Sequence, residues 1–342
     1  MKKNSMFSRR DVMRLTAAAT AAWSLRSWAE ARRIDDARFL PIGGIQQWVQ
    51  IRGDDASNPP LLWLNGGPGY TVIPDTPGYR EWERHFTMVM WDQRGEGKTF
   101  ERSGKSVAPT MTIERMAEDG VELAEHLSRR IFKRKIVLLG HSWGSILGIH
   151  MIKLRPDLFS AYVGTGQIVD LELDAEASYP LVLERAKSLH DTAAVKELEA
   201  VGPPPYPDSP GKWVWVKWAN ALDPQPPGVW AAIQGGKRPP AYLEEGAEFS
   251  QGLMWTSMLA DDLRKLGLDF ELPMFFIQGA EDDLAVTALA RAYFDQIRAP
   301  LKKFIVLADT GHLAIFTDRK AFLGQLVKWV RPVALSENHA TA

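Results

Sequence analysis

At 342 residues the chain has room for one large α/β domain with an insertion, or for two small domains. Its net charge of −1, with no basic stripe interleaved with aromatics, excludes nucleic acid as a partner. It carries no cysteine, which excludes disulfides, thiolate metal sites and cysteine nucleophiles outright.

The N-terminus reads as an address label. Ser8-Arg9-Arg10-Asp11-Val12-Met13 follows the twin-arginine export pattern. The apolar run from Leu15 to Leu25 is too short to span a bilayer as a stable helix, and Ala29-Glu30-Ala31 supplies the small-x-small cleavage pattern. Residues 1–31 are expected to be removed on export. The mature protein is expected in the periplasm or the medium, with no stable membrane insertion.

Residues 38–52 predict a hairpin, with Phe39 to Ile42 and Ile45 to Ile51 flanking the two-residue turn Gly43-Gly44. Leu61–Leu64 and Met88–Trp91 are short apolar strands. Thr112 can N-cap a helix that carries Ile113, Met116, Val121, Ala124, Leu127 and Ile131 mostly on one face. Lys135–Leu139, Met274–Ile277 and Phe304–Leu307 are further strands, and a last helix runs near Lys320 to Val330. Strands apolar throughout that alternate with helices imply a mostly parallel sheet covered on both faces. Between Val169 and Ser257 no strand is evident. Helical pieces at Tyr179–Ala200, Lys212–Ala221 and Pro240–Met258 are broken by proline-rich stretches. The expected layout is a core of residues 32–168 and 258–342, with 169–257 as a helical cap over the strand ends.

The motif that carries chemistry is Gly140-His141-Ser142-Trp143-Gly144. It follows the apolar run Ile136–Leu139 and precedes a buried helical pattern, so a serine sits at the apex of a sharp strand-to-helix turn. The tightness of that turn explains the two flanking glycines. A serine hydroxyl needs a base to take its proton and an acid to orient the base. In this class of turn the chain order is serine, acid, histidine. Glu281, Asp282 and Asp283 all follow the strand Met274–Ile277. The spacing Gly279-x-x-Asp282 puts Asp282 at the loop tip, with Asp283 and Glu281 as alternatives. His312 follows the strand Phe304–Leu307. Donors for a developing oxyanion are expected from the backbone N–H of Trp143 and of Gly67 in the glycine loop after Leu64. His126, His85 and His190 read as surface residues and His150 as core, while His141 either lines the pocket or packs. No histidine pair has metal-ligand spacing. Gly95-Glu96-Gly97-Lys98-Thr99 ends like a phosphate-binding loop, but Asp92 stands where that motif needs a glycine. Gly164-Thr165-Gly166 lacks the third glycine of a dinucleotide fingerprint and reads as a bend leading out to the cap.

Asn65-Gly66-Gly67-Pro68-Gly69, Trp91-Asp92-Gln93-Arg94-Gly95-Glu96-Gly97, Gly140-His141-Ser142-Trp143-Gly144-Ser145, Gly279-Ala280-Glu281-Asp282 and Gly311-His312 together resemble the α/β-hydrolase superfamily, and within it the prolyl iminopeptidase group of serine peptidases. The resemblance covers roughly residues 38–166 and 258–331. It implies a sheet of about eight strands, a helical cap, no metal and no organic cofactor. It implies a small-molecule or short-peptide substrate, first a peptide or amide, with an ester or lactone as the alternative. Loss of a triad member would instead indicate a non-catalytic binding module, and none is evidently lost. Two positions depart from the group's pattern. Asn65 replaces the usual histidine. Ala219, in the segment Trp213 to Asn220, stands where the group carries a glutamate that holds the substrate's free amino end. Glu244, Glu245 and Glu172 are candidate replacements, since a carboxylate is the physical means of binding an ammonium group. Trp213, Trp215, Trp218, Trp230 and Trp255 suggest an apolar pocket roof. Asn65, Trp215 and Trp218 are the candidate substrate contacts.

Overall fold

The computed structural model describes residues 33–132, 134–206, 211–225, 229 and 240–339. The export pattern and Trp230 lie outside them. The strands are β1 (Ile34–Ile42), β2 (Ile45–Gly53), β3 (Pro60–Leu64), β4 (Thr87–Asp92), β5 (Ile136–His141), β6 (Phe159–Thr165), β7 (Met274–Gly279) and β8 (Lys302–Leu307). They form one sheet in the order β1-β2-β4-β3-β5-β6-β7-β8. β1 and β2 pair antiparallel around Gly43-Gly44, with Ile42 opposite Ile45. β2 is antiparallel to β4, and every later pairing is parallel.

Strands β3 to β7 are buried along their whole length, the state of a parallel sheet with helices on both faces. Successive residues of β3 feed opposite faces. Leu62 and Leu64 join one core cluster, and Leu61 and Trp63 join the other. Fully burying such a side chain stabilises the fold by about 1.5–3 kcal/mol. Strand β6 has no clear signal in the sequence, because Ser160 and Gly164 interrupt its apolar run. The expected bend begins only at Gly166.

Helix α1 (Gly97–Ser103) shows why the phosphate-loop likeness is empty. Asp92 accepts from the Lys98 N–H at 2.8 Å, so the chain's own carboxylate fills that helix N-terminus. Helix α2 (Ile113–His126) begins at Thr112, whose hydroxyl accepts from the Arg115 N–H. Helix α3 (Trp143–Leu154) leaves β5 and is buried on nearly every side. Its last turn carries His150, which is not core. The ring is half-buried and pairs with Asp261 at 3.0 Å.

Among the described residues four α-helices lie between β6 and β7: α4 (Leu171–Ser188), α5 (Thr192–Val201), α6 (Gly211–Ala221) and α7 (Ala241–Ala260). The piece expected as one helix over 179–200 is two. His190 takes a left-handed φ of 55°, and Asp191 then caps α5 by accepting from the Ala193 and Ala194 N–H groups. After β7 comes α8 (Thr287–Gln296). The C-terminal α9 (Arg319–Gln325) runs on through Leu326–Val330 and Arg331–His339, packing Phe322, Leu323, Leu326 and Val330 on the Trp63 side of the sheet.

The chain leaves β3 towards β4 on one side and β5 towards β6 on the other. The crevice at the C-terminal ends of β3 and β5 is therefore the topological switch point. Helix α3 closes on that crevice only because Gly144 has no side chain, since a Cβ there would sit 2.2 Å from the Leu64 carbonyl oxygen. Gly144→Ala is expected to destabilise the protein by about 1–3 kcal/mol through overpacking against backbone. A lowered thermal midpoint checks this. Gly252→Ala on α7 is the control, because a Cβ there meets nothing within 4 Å.

Candidate active site

Ser142 sits between β5 and α3 with φ 54° and ψ −121°, a backbone state that costs free energy unless the surroundings impose it. They do. The Ser142 N–H donates to the Thr165 carbonyl at 3.0 Å. Its own carbonyl accepts from the Ser145 N–H and hydroxyl at 2.7 and 2.6 Å. The Ser145 oxygen in turn accepts from the Ile168 N–H, which ties the turn to the exit of β6. Trp143 is fully buried, and its indole N–H donates to Gln93 in the loop after β4. As the first residue of α3, it has a backbone N–H with no acceptor inside the helix.

His312 comes from the loop after β8. Its Nε2 lies 3.0 Å from Ser142 Oγ, and its Nδ1 lies 3.1 and 3.0 Å from the two Asp282 oxygens. Asp282, in the loop after β7, is itself held by the Leu284 and Ala285 N–H groups at 3.1 and 2.9 Å. The two alternative acids turn away, because Arg185 of α4 pairs with Glu281 at 3.1 Å and with Asp283 at 2.6 Å. The Asp282 contact identifies the tautomer: Nδ1–H donates to the carboxylate and Nε2 is free to accept from the serine hydroxyl. Burial opposes a charge on His312, but the carboxylates of Asp282, Asp223 and Asp174 outweigh it and raise its pKa above the ordinary 6.5. A serine hydroxyl bonded to such an imidazole can be deprotonated as it attacks.

His141 stands beside this chain of contacts, its ring centroid 5.1 Å from that of His312. Burial, with the neighbouring His312, pushes its pKa down to about 3, so the ring is neutral. Its Nε2–H donates to the His312 carbonyl at 3.1 Å.

The glycine loop after β3 passes against the serine. A Cβ on Gly66 would be 3.2 Å from Ser142 Cβ, and both Gly66 and Gly67 line the cavity above it. That cavity has a volume of about 740 Å³. Ser142, His141 and His312 form its floor, and Trp213, Trp215, Trp255 and Met258 its apolar roof. The structure does not bring Asn65 to it. Asn65 lies fully buried, with its amide donating to Glu96 at 2.6 Å and facing the Trp91 carbonyl at 3.4 Å. Glu96 is pushed well above its ordinary range, by burial first and then by Asp92, which itself rises to about 7. Trp218 is also absent from the cavity, and its indole donates to Glu197.

Ala219 is buried and does not line the cavity, although Trp215 and Val216 before it on α6 do, so no carboxylate reaches the cavity from that position. Of its candidate replacements Glu244 lines the cavity, whereas Glu245 and Glu172 do not. Glu248 lines it as well, one turn further along α7. Glu248 is not among the candidates from sequence, although its i+4 spacing from Glu244 on a predicted helix is a signal for it. Among the described residues no group of three or more His, Asp or Glu could hold a metal ion.

Known proteins resemble the chain over most of its length. The probable aminopeptidase YbaC of Bacillus subtilis (strain 168) is 27% identical over 316 residues, covering 88% of this chain and 98% of that one. The proline iminopeptidase of Lactobacillus delbrueckii subsp. lactis is 24% identical over 306 residues, covering 86% and 97%. The crystal structure of a proline iminopeptidase-related protein from Thermus thermophilus matches with a TM-score of 0.63 at 20% identity, covering 90% of this chain and 100% of that one. The alpha/beta hydrolase family model matches residues 47–325, and the chain belongs to that family.

Proposed function

We propose that this protein is an exported serine hydrolase that releases an amino acid from a small peptide or amide. The observation that carries this reading is the continuous chain Ser142–His312–Asp282, with contacts of 3.0–3.1 Å, at the floor of a cavity that also presents two carboxylates. Ser142 Oγ attacks the scissile carbonyl carbon while His312 Nε2 takes its proton. The oxyanion is stabilised by the N–H groups of Trp143 and Gly67. His312 then returns the proton to the leaving amine, the C–N bond breaks, and an acyl-enzyme remains. Water, deprotonated by His312, attacks that ester and frees Ser142. Glu244 and Glu248 would receive the substrate's ammonium end, and the tryptophan roof its apolar side chain. The names of two relatives, a probable aminopeptidase and a proline iminopeptidase, support the peptide reading.

The apolar roof favours a second reading, hydrolysis of a small apolar ester or lactone. A paired assay of the mature protein on prolyl and alanyl arylamides and on short-chain aryl esters separates the two. Arylamide turnover that requires a free amino end supports the peptidase, and ester turnover alone supports the esterase.

Export rests on the pattern in residues 1–31. Replacing Arg9-Arg10 by Lys-Lys is expected to leave the precursor on the cytoplasmic side of a bacterial host. Cell fractionation checks this, and an unchanged periplasmic fraction contradicts it.

A further inference from the structure

The main chain of His312 is gripped on both sides, and one of the grips belongs to the cap. His141 holds the carbonyl. The His312 N–H donates to Asp223 Oδ1 at 2.7 Å, and the next N–H, of Leu313, faces Oδ2 at 3.4 Å. Asp223 lies two residues beyond α6, the helix whose Trp213, Trp215, Lys217 and Asn220 line the substrate cavity. Asp223 is 5% exposed. Its approach to the loop requires a glycine at 311, where a Cβ would sit 1.8 Å from Asp223 Oδ1. A hydroxyl or an amide could satisfy one of these N–H groups. A carboxylate satisfies both and also places a negative charge beside the imidazole.

We propose that Asp223 is a positioning residue, through which the cap sets the placement of His312 and the ease with which its ring takes a proton. The proposal rests on the hydrolase reading and deepens it, because substrate seated against α6 and the histidine that acts on it then share one carboxylate. The charged groups facing Asp223 are His312 and Asp282 from the core loops, and Asp174 of α4 acts on the same imidazole. Burial holds the Asp223 carboxyl at about 6 against the attraction of His312. Its charge is therefore present above that pH, where His312, with its pKa raised above 6.5, takes its proton, and is lost only at lower pH.

The test compares Asp223→Asn and Asp223→Ala with the parent mature protein. Two readouts are taken: kcat and KM on the preferred aryl substrate, and the NMR titration of the His312 ring, assigned by its loss in His312→Ala. Asp223→Asn keeps the shape and one acceptor but removes the charge. It should lower kcat by about tenfold, and Asp223→Ala by about 10²-fold, the penalty for a slightly misplaced acting group. KM should stay near the parent value, and the His312 ring should titrate at lower pH in both. A merely structural role would lower the melting temperature without moving that titration. If Asp223→Ala does not fold, Asp223→Asn alone decides. Folded variants with parental kcat and parental His312 titration overturn the proposal. Ser142→Ala in the same assay keeps the two readings apart. Turnover that survives it sinks the hydrolase mechanism, while the ring titration still reports on Asp223.

Discussion

Ser142→Ala is expected to cut turnover by about 10⁴-fold or more while leaving the fold intact. The loss is large because the substitution removes the nucleophile itself, and neither His312 nor Asp282 can form the acyl bond. The fold survives because alanine keeps the same Cβ at the same φ of 54°, and the bonds that impose this conformation run through the backbone of residue 142. His312→Ala should cost a similar amount. Asp282→Asn should cost about 10⁴-fold, since an amide favours the wrong imidazole tautomer. The effects should not add, because once one member is gone the others have nothing to act on. Kinetics on the purified variants, with circular dichroism to establish folding, measure this. Retention of a tenth or more of parental activity by Ser142→Ala would falsify the mechanism.

The double variant Glu244→Gln/Glu248→Gln should lose about 10²-fold in kcat/KM on arylamides with a free amino end, and each single variant about tenfold, the cost of removing the partner of a charge that binding shields from water. The two carboxylates stand one helical turn apart on α7 and face the same cavity as Ser142. An ammonium group between them would be attracted by both. Each glutamine keeps the side-chain shape and leaves helix propensity nearly untouched, so stability should hold. Aryl esters without an amino group should be hydrolysed at the parental rate, which separates lost recognition from lost chemistry. Unchanged arylamide kinetics in the double variant would move the ammonium site elsewhere and remove the argument for these glutamates.

Much of this site could be read from sequence because the chemistry sits in short local strings. A serine between glycines, after an apolar strand and before an apolar helix, has few conformations open to it. Asp282 and His312 each follow a strand of the same sheet, and parallel strands deliver their C-terminal loops to one edge. Contacts made only in three dimensions were harder to read. The choice among Glu281, Asp282 and Asp283 depends on Arg185, which lies nearly a hundred residues earlier and draws the other two away. Asn65 and Trp218 looked like substrate contacts from their neighbours in sequence, yet Glu96 and Glu197 claim their polar atoms. β6 was hidden because Ser160 and Gly164 dilute its hydrophobicity, although burial between β5 and β7 stabilises it as a strand. Asp223 carries no local signature at all. Its partners are two backbone N–H groups about ninety positions further along the chain.

The mechanism passes through a covalent acyl-enzyme on Ser142, which can be trapped. The purified protein would be mixed with a slowly deacylated aryl ester, quenched in acid, weighed intact and mapped by peptide mass spectrometry. One acyl adduct per chain is expected, on the peptide that contains Ser142, formed as the aryl alcohol is released and absent from Ser142→Ala. Hydrolysis that proceeds with no covalent species, or with the acyl group on a different residue while Ser142 stays unmodified, would contradict it.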